Sequence, residues 1–453
     1  MLKSLAKRLY DRLTTGAPRK ALKALITRYP SVDKYIRKVQ LALFDRYPVH
    51  AREVRYRANS TTKILFVDVS FLVLEDLKTG IQRVTRSVLL QLLRHAPEGY
   101  VVQPVYGDHQ VGYKAAAMTL TEADELSLAQ SLGPEPIQVS RGDLFLGLNF
   151  SCATTLKEQG YLLKLREAGV RVYLVVYDLL PVQFPSYFPT SAKDFHARWL
   201  RALVQFDGAI CISKAVADDY ETWIQSNRLQ VSDTFKVTHF HLGADLKSSS
   251  PSKGLPADAK LYLDIFRQRP TLLMVGTLEP RKGYRETLEA FTVLWQAQQN
   301  INLVIVGNVG WNVDALVDRI ATHPELNKKL FWLKGVSDEY LEQLYAASVC
   351  LIAASEGEGF GLPIIEAAQH GLAVMLRDIP VFREVAGDAA FYFGAKQPTN
   401  EPTNEQLAAQ SMAHSINLWL ALYANKQHPK SSGMPYISWQ QSVEQLKQAL
   451  FAS

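Results

Sequence analysis

Two acidic side chains flank a short glycine-rich loop in the segment Glu356-Gly-Glu-Gly-Phe-Gly-Leu-Pro-Ile-Ile-Glu366. Glu358 and Glu366 are separated by seven residues, and Pro363 between them is typical of the first turn of a helix. The free N–H groups and the positive dipole end of such a turn attract an anion or polar hydroxyls. An ionised carboxylate only accepts hydrogen bonds, so each acid is suited to a pair of sugar hydroxyls. The spacing predicts that both carboxylates reach one ligand.

A second motif, Gly276-Thr-Leu-Glu-Pro-Arg-Lys-Gly283, places two adjacent cations in a turn bounded by glycines. It follows a predicted strand at 271–275 and precedes a predicted helix at 284–299. The Arg281 guanidinium and the Lys282 ammonium give charge-assisted bonds to phosphate oxygens. The turn is therefore predicted to clamp a diphosphate at the same sheet edge as the two carboxylates.

Short apolar runs alternate with helical patterns on both sides of a stretch at 247–260 that is rich in Ser, Pro, Lys and Gly, which we interpret as a linker. This alternation predicts an α/β chain with two parallel, doubly wound sheets. The predicted strands are 63–70, 100–106, 144–148, 170–177, 208–213 and 235–240 before the linker, and 271–275, 302–306, 330–333, 349–353 and 373–376 after it. The predicted helices include 81–95, 192–205, 214–225, 284–299, 313–322, 338–347, 362–370, 405–426 and 437–451.

The composition is that of a globular protein with more than one domain. The chain has 453 residues, of which 47% are hydrophobic and 21% charged, so neither disorder nor a fibrous repeat fits. The longest apolar runs, such as 170–180, fall short of the roughly 20 residues that a membrane-spanning helix needs. The three cysteines are far apart and lack C-x-x-C spacing, which argues against disulfides and favours a reducing cytosol.

Metal-binding patterns are missing from the sequence. No Asp-x-Asp occurs in it, which disfavours a site where a metal holds a diphosphate. His196, His239 and His241 do not have the spacing of metal ligands. We therefore expect no metal and no cofactor.

Positive charge is concentrated at the start of the chain, where residues 1–60 hold 15 Lys and Arg but four Asp and Glu. The net charge of the whole chain is +6, so the remaining residues carry −5. Leu2, Leu5, Leu9 and Leu13 recur at helical spacing between the cations, which predicts basic amphipathic helices. Attachment to an anionic membrane face, a partner-binding helix and a merely solvated arm all stay open. Nucleic acid is disfavoured because the rest of the chain is net acidic and shows no aromatic–basic recognition motif.

Taken in order, the two motifs resemble the C-terminal donor domain of retaining GT-B glycosyltransferases of family 4, whose signature is E-x7-E. The resemblance covers about residues 62–451. It is supported by Cys211-Ile-Ser-Lys, by the turn His241-Leu-Gly-Ala-Asp245, and by Tyr436-Ile-Ser-Trp439 before the last helix. After the basic helical extension over 1–60, it implies an N-terminal Rossmann-like acceptor domain over 61–250, a C-terminal Rossmann-like donor domain over 251–430, and a closing helix over 431–453 that crosses back to the N-terminal domain.

The resemblance also implies roles for residues of the second half. Glu358 would bind hydroxyls of the donor sugar, Glu366 the ribose, and Arg281 and Lys282 the diphosphate. Thr277 stands where many relatives have an arginine, so Arg281 must supply the guanidinium. The remaining donor contacts would come from the backbone of the glycine loop and from the residues near the base: Gly359, Phe360, Gly361 and Leu362, and Gly335 and Val336.

Two segments of the first half resemble parts of the same family. Thr79-Gly80-Ile81-Gln82-Arg83 is similar to the glycine loop that approaches the donor phosphates across the cleft; its alternative is a plain helix N-cap at Thr79. Tyr177-Asp178-Leu-Leu-Pro is similar to a segment with histidine at the position of Tyr177. Tyr177 would then bond a sugar hydroxyl and Asp178 would orient the acceptor, unless Asp178 merely caps the next turn.

The implied activity is a retaining, metal-independent hexosyl transfer from a nucleotide-diphosphate sugar. The segments TGIQRV and YDLLPVQFP resemble bacterial surface-polysaccharide mannosyl- and rhamnosyltransferases, so we expect GDP-mannose as donor, with dTDP-rhamnose or a UDP-sugar as alternatives. The acceptor would be a glycan or a lipid-linked glycan. The basic extension would place the chain in the cytoplasm, on the inner face of the plasma membrane.

Two other functions stay open. A nucleotide-sugar epimerase or hydrolase of the same fold would release an isomer or free nucleotide without an acceptor. A catalytically silent, membrane-attached assembly subunit would not need Glu358 at all.

Overall fold

A computed structural model describes residues 53–57, 61–74, 80–108, 111–120, 126–128, 135–150, 152–245, 252–394 and 405–451. Most of the basic segment 1–60 lies outside the described residues, and so do the helices and the membrane or partner contact predicted there. Thr79 and residues 247–251 of the predicted linker also lie outside them. Within 1–60, Arg55–Tyr56 form a short strand that pairs in parallel with Gln138–Val139.

The strands, in chain order, are β1 (Arg55–Tyr56), β2 (Lys63–Asp68), β3 (Tyr100–Asp108), β4 (Gly112–Ala115), β5 (Met118–Leu120), β6 (Leu126–Leu128), β7 (Gln138–Val139), β8 (Leu144–Gly147), β9 (Arg171–Val176), β10 (Gly208–Cys211), β11 (Lys236–His239), β12 (Thr271–Val275), β13 (Asn302–Val306), β14 (Leu330–Leu333), β15 (Cys350–Ala353), β16 (Ala373–Arg377) and β17 (Phe391–Phe393).

The α-helices are α1 (Ser70–Leu74), α2 (Gly80–Arg94), α3 (Cys152–Glu167), α4 (Leu180–Gln183), α5 (Ala192–Leu203), α6 (Lys214–Ser226), α7 (Ala259–Arg267), α8 (Tyr284–Gln296), α9 (Asp314–Ala321), α10 (Asp338–Ala347), α11 (Leu362–Gln369), α12 (Pro380–Ala386), α13 (Glu405–Ala424) and α14 (Trp439–Phe451). Short 3₁₀ turns occur at Pro185–Tyr187, Pro280–Lys282 and Ser431–Gly433.

Two large sheets carry the fold. The first has seven strands in the order β11-β10-β9-β8-β2-β3-β4, all parallel except β4, which pairs antiparallel with β3. The second has six parallel strands in the order β14-β13-β12-β15-β16-β17. The predicted α/β class with two doubly wound sheets is confirmed. We call the described residues up to 245 the first half and those from 252 onward the second half.

The central strands are mostly apolar because helices cover both faces of a parallel sheet. The four residues of β8 are buried, and so are the five of β13. Aromatic side chains fill much of the space between sheet and helices, among them Trp199 in the first half and Trp419 in the second. This packing gives each sheet a rigid edge from which the loops of the motifs emerge.

The last helix, α14, returns to the first half. Its apolar stripe consists of Trp439, Val443, Leu446 and Leu450, each at most 1% exposed, and the spacing of these residues is that of one helix face. The stripe packs α14 against α2 and β11 of the first sheet.

Five helices are missing from the sequence-based prediction. Two of them, α1 and α4, have only five and four residues, and the other three are longer. In α3, the buried face includes Thr155 and Glu158, so the apolar periodicity is weak. The helix α7 begins at Ala259, inside the stretch interpreted as a linker. The third, α12, has seven residues and starts at a proline, which gives too short a pattern to recognise.

Candidate active site

The two predicted motifs follow neighbouring strands of the second sheet. The loop at 276–283 leaves the carboxyl end of β12, and the loop at 354–361 leaves the carboxyl end of β15, which pairs with β12. The chain passes from β12 to β13 and β14 on one side and to β15 on the other, so the two loops flank the point where the strand order reverses. Ligands of open α/β sheets bind in the crevice at this point.

Glycines let the two loops approach each other closely. Gly283 has φ +70°, and a Cβ at this position would lie 2.4 Å from the carbonyl oxygen of Ala354. Gly361 has φ +100° and directly precedes α11, whose first residues are Leu362 and Pro363. The positive φ angles favour glycine at both positions. The glycines of the motifs thus bring the clamp turn against the carboxylate loop.

Glu358 lies at the centre of a cluster made by these loops. The Arg281 guanidinium pairs with Glu358 Oε2 at 2.9 Å, and the Lys282 ammonium pairs with Oε1. The Ser355 hydroxyl donates to the same Oε1 at 2.7 Å. The side chain of Glu358 is 11% exposed. The structure therefore brings together the acid and the two cations that the sequence predicted to share a ligand.

Electrostatics keep Glu358 ionised. Burial raises its pKa, but Arg281 and Lys282, with the hydrogen bonds from Lys282 and Ser355, outweigh burial and lower the pKa of Glu358 from 4.5 to about 2. Burial works against the charge of Arg281 as well, yet Glu358 and Glu279 raise the pKa of this guanidinium, with a smaller contribution from Asp178 of the first half. At neutral pH the cluster consists of charged groups already aligned.

Glu279 is a further member of this cluster that the sequence analysis did not select. Its Oε2 forms an ion pair with the Arg281 guanidinium at 2.8 Å, and the residue is 8% exposed. Burial outweighs the lowering effect of Arg281 and Lys282, so the pKa of Glu279 is raised above its ordinary value. The signal was present in the sequence, because Glu279 lies two residues before Arg281 within the clamp turn.

Glu366 lies four residues beyond the start of α11 and has different partners. Its Oε1 accepts from Arg83 Nη1 at 2.6 Å, and its Oε2 accepts from the Tyr345 hydroxyl at 3.0 Å. The residue is 3% exposed. Arg83 belongs to α2 of the first half, so the second carboxylate of the motif is reached from across the cleft.

Arg83 contacts a second acid of the second half, Asp338, through its other terminal nitrogen. Burial lowers the pKa of Arg83, but Glu366 and Asp338 raise it above its ordinary value. The structure thus places Arg83 on two carboxylates, while the sequence predicted that it would approach donor phosphates. Asp338 and Tyr345 escaped the sequence analysis because no local motif contains them.

The first half also closes on the carboxylate loop. A Cβ at Gly359 would lie 2.0 Å from the carbonyl oxygen of Tyr177, so the two backbones are in direct contact. The Ser213 hydroxyl donates to the carbonyl oxygen of Gly359 at 2.8 Å. The Tyr187 hydroxyl donates to Glu356 Oε2 at 2.5 Å. The loop that carries Glu358 is therefore supported from both halves.

Tyr177 and Asp178 make intramolecular contacts in the structure. The Tyr177 hydroxyl points inward and donates to the carbonyl oxygen of Leu148 at 2.8 Å, and the residue is 2% exposed. This geometry does not place the hydroxyl where it would reach a sugar. Asp178 Oδ1 accepts from the backbone N–H of Leu180 at 3.1 Å, which is the turn-capping contact considered as its alternative role.

The other predicted residues are distributed along the cleft edges. Gly80 is exposed, and a Cβ on it would lie 4.0 Å from Leu362 at the start of α11, so α2 and α11 meet end to end there. Ile81 packs against a hydrophobic cluster that contains residues of both halves. Thr277 is exposed in the clamp turn. The last two predicted residues, Gly335 and Val336, lie in the loop after β14. The Gly335 N–H donates to Asn308 Oδ1 at 3.2 Å, and Val336 is half-buried.

Phe360 completes the carboxylate loop. It is 4% exposed, and its ring lies 5.6 Å from that of His241, which belongs to the segment that leads out of the first half. His241 Nε2 is 2.6 Å from Glu384 Oε1. The same Oε1 accepts from the Lys214 N–H, and Glu384 Oε2 accepts from the Ala215 N–H, at the start of α6.

No group of three or more His, Cys, Asp or Glu suited to a metal ion occurs in the part of the chain that the structure describes.

Two facing doubly wound sheets, with the motif loops at their carboxyl edges, define a GT-B fold. Solved structures with this fold include sucrose-phosphate synthase from Thermosynechococcus elongatus, with a TM-score of 0.57 at 17% identity over 86% of this chain and 99% of that chain. Another is HepE of Anabaena in complex with UDP and glucose, with a TM-score of 0.56 at 16% identity over 86% of this chain and all of that chain.

Residues 263–427 match the family model for glycosyl transferases group 1. The serotype-specific mannosyltransferase WbdA of Escherichia coli is 41% identical over 386 residues, which are 84% of this chain and 46% of WbdA. The matched residues thus span less than half the length of the WbdA proteins. The resemblance to GT-B glycosyltransferases predicted from the motifs is confirmed. Among the described residues, no helix is long and apolar enough to span a membrane.

Proposed function

We propose that this protein is a retaining, metal-independent mannosyltransferase that moves mannose from GDP-mannose to a glycan or lipid-linked acceptor of a bacterial surface polysaccharide. One observation carries the proposal. Glu358 is held ionised between Arg281 and Lys282 at the point where the strand order of the second sheet reverses. A sugar-binding acid and a diphosphate-binding pair of cations are the groups that an activated sugar requires.

The charges of the cluster suggest how the reaction is assisted. In the proposed reaction, the bond from the anomeric carbon to the donor phosphate lengthens and negative charge grows on the departing diphosphate. Arg281 and Lys282 would stabilise that charge more in the transition state than in the ground state. The N–H groups at the start of α11 would add their partial positive charge. Glu358 would hold the hydroxyls of the transferred sugar beside the cations.

The acceptor would attack from the face that the diphosphate leaves, which retains the anomeric configuration. The departing phosphate oxygen would help to remove the acceptor proton, so no nucleophile of the protein is needed. Proton NMR of the first product formed distinguishes retention from inversion. A product of inverted configuration would contradict this part of the proposal.

Mannose as the transferred sugar is supported by the relatives, since WbdA is named a serotype-specific mannosyltransferase. A thermal-shift screen of nucleotide sugars tests it, because a ligand that binds the folded state raises the melting temperature by mass action. We expect GDP-mannose and GDP to stabilise the full chain. Stabilisation by UDP-sugars with no response to GDP or dTDP compounds would overturn the choice of donor.

The two alternative functions give different results with radiolabelled GDP-mannose and a mannan acceptor. A transferase labels the acceptor, and the labelling is lost in Glu358→Ala. An epimerase or hydrolase yields a labelled isomer or free sugar when no acceptor is present. A silent assembly subunit labels nothing, and its Glu358→Ala variant still supports polysaccharide synthesis in cells. Labelling that persists after treatment with EDTA is the result expected of a metal-independent enzyme.

Location at the inner face of the plasma membrane is part of the proposal and rests on the basic segment 1–60. Deletion of residues 1–52, which keeps β1 and the ion pair between Arg57 and the buried Asp143, should release the protein from membrane fractions while transfer to a soluble acceptor continues. Unchanged fractionation would reject this role of the segment.

A further inference from the structure

Arg83 connects two acids that belong to different helices of the second half. Its Nη1 donates to Glu366 Oε1 at 2.6 Å, on α11, and its Nη2 pairs with Asp338 Oδ1, at the start of α10. The exposed fractions of the three side chains are 24% for Arg83, 4% for Glu366 and 15% for Asp338. The bridge is therefore shielded from solvent much more than an ordinary surface ion pair.

The far oxygens of both acids are also occupied. Tyr345 donates to Glu366 Oε2 at 3.0 Å. Ser252 donates to Asp338 Oδ2 at 2.8 Å from its hydroxyl and at 2.8 Å from its backbone N–H. Each carboxylate is thus oriented by a donor of the second half on one side and by Arg83 on the other. Removing the guanidinium would leave both acids with one fixed oxygen and one unpaired oxygen.

A carboxylate has room for more than these bonds. Its two oxygens offer about four lone-pair positions, and Arg83 and Tyr345 use one on each oxygen of Glu366. One position on each oxygen is left, which matches the two adjacent hydroxyls of a ribose. Arg83 and a ribose can therefore bind Glu366 at the same time.

The bridge also depends on the approach of the two halves. The start of α2 lies against the start of α11, since a Cβ on Gly80 would be 4.0 Å from Leu362. Arg83 is one turn further along α2. Any separation of the halves withdraws the guanidinium from Glu366 and from Asp338 together.

We infer that the Asp338–Arg83–Glu366 bridge is a positioning device for the donor, in which Arg83 orients Glu366 for the ribose of a nucleoside diphosphate sugar and makes this binding depend on closure of the two halves. The inference rests on the proposed function. It assigns to Asp338 a contribution to donor affinity without contact with the donor. A direct role of Arg83 on the donor phosphates predicts a different result. In that case, release of Arg83 from Asp338 would leave donor binding unchanged or improve it.

Calorimetric titration of the full chain with GDP and GDP-mannose tests this assignment. We expect Arg83→Ala to raise the donor Kd by about tenfold to a hundredfold, which is the range for loss of a charged hydrogen bond. Asp338→Asn should raise it by about threefold to tenfold, through the loosened guanidinium alone. Arg83→Lys should fall between wild type and Arg83→Ala, since one ammonium cannot span both acids in the same geometry. The double variant Arg83→Ala/Asp338→Asn should bind no more weakly than Arg83→Ala, because the two changes break one bridge.

Arg319→Ala is the matched control. It removes an arginine from an exposed ion pair with Glu289 elsewhere in the second half, and it should leave the donor Kd unchanged. Melting temperatures measured without nucleotide identify variants that have lost their fold, and Arg83→Lys keeps the test open if Arg83→Ala does not fold.

A purely structural role would lower the melting temperature of Arg83→Lys and Asp338→Asn and leave the donor Kd within twofold of wild type, which would overturn the inference. Tighter donor binding by Arg83→Ala would overturn it too, because Arg83 would then compete with the ribose. Failure of the wild-type chain to bind any nucleotide would contradict the proposed function, and this inference with it. Normal wild-type binding with unchanged variants would contradict the inference alone.

Discussion

Glu358 and Glu366 belong to one motif, but different parts of the molecule hold them. The partners of Glu358 are Arg281, Lys282 and Ser355, which all lie in the second half, within the two loops next to β12 and β15. Glu366 receives one hydrogen bond from its own half, at Tyr345, and another from Arg83 of the first half. The first carboxylate is therefore prepared by local sequence, and the second is completed by tertiary contact.

This difference separates two requirements of an enzyme that works in a cleft. Groups that stabilise developing charge act best when they are oriented before the reaction begins, and the Glu358 cluster has this property. A group that responds to closure must have surroundings that change when the two halves move. Glu366 has this property because its partner Arg83 belongs to the first half. We therefore expect changes around Glu358 to lower turnover and changes around Glu366 to weaken donor binding.

The largest effect should follow Glu358→Gln. The amide cannot balance the charges of Arg281 and Lys282, and it replaces one acceptor oxygen by a donor group. We expect transfer to fall by about a hundredfold to a thousandfold, as for other deletions of a preorganised charge contact. Breaking a buried ion pair costs about 3–5 kcal/mol of unfolding free energy, so the variant should also melt earlier.

Initial rates with GDP-mannose and melting curves measure both effects. Glu289→Gln is the matched control in the same half, because it neutralises the acid of the exposed Arg319 pair. A Glu358→Gln enzyme with turnover within tenfold of wild type would mean that the prepared cluster is not the centre of the reaction.

The next effect concerns stability in acid. The folded-state pKa of Glu358 is about 2, below its ordinary 4.5, so its ionised form stabilises the fold at all pH values above 4.5. This stabilisation, about 3 kcal/mol from the shift, is lost as the pH falls from 4.5 towards 2. Lys282→Met removes one of the causes of the shift and should make this loss smaller. Urea unfolding at pH 5 and pH 3 measures the loss in both proteins, and an equal loss in both would contradict the assignment.

Glu366→Gln should produce a smaller effect of a different kind. The amide weakens both the contact with Arg83 and the hydrogen bonds that Glu366 would accept from the ribose hydroxyls. The Kd for GDP should therefore rise by about tenfold. Turnover at saturating donor should change by less than about threefold, because Glu366 has no contact with the Glu358 cluster in its hydrogen bonds. A fall in turnover with no change in Kd would reverse the proposed division between the two acids.

The same division explains what the sequence could predict. Most strands, most helices and the Glu358 cluster follow from local patterns, since Arg281 and Glu358 lie in loops after strands whose order is that of a doubly wound sheet. The short strands β1, β4, β5, β6, β7 and β17 were not predicted. Gly283 and Gly361 were visible as turn residues in their motifs. These features depend on residues within one sheet and its loops.

Contacts between the halves were not predictable in this way. Arg83 and Glu366 are 283 positions apart, and neither segment contains a pattern that indicates contact with the other. Asp338 was indistinguishable from a residue that caps α10. The Tyr177 hydroxyl turns inward to Leu148 because the end of β9 is packed on both sides, which a motif comparison does not reveal.

The smallest predicted effect compares two neutral donors, one on each carboxylate. Tyr345→Phe removes the hydroxyl bonded to Glu366 Oε2 and keeps the ring, which stacks on His370 at 5.4 Å. Ser355→Ala removes the hydroxyl bonded to Glu358 Oε1. Each loss should be worth about 1 kcal/mol, because a neutral hydrogen bond is lost while the cationic partner of the same carboxylate stays.

The two variants should differ in whether they change the donor Kd or the turnover. Tyr345→Phe should raise the donor Kd by about threefold to fivefold with turnover nearly unchanged, and Ser355→Ala should lower turnover by a similar factor with Kd nearly unchanged. Both removed groups are neutral hydroxyls of the second half, so the two variants lose the same kind of hydrogen bond. If both variants change the same constant, the two carboxylates act as one unit, and the separate roles assigned to them here are wrong.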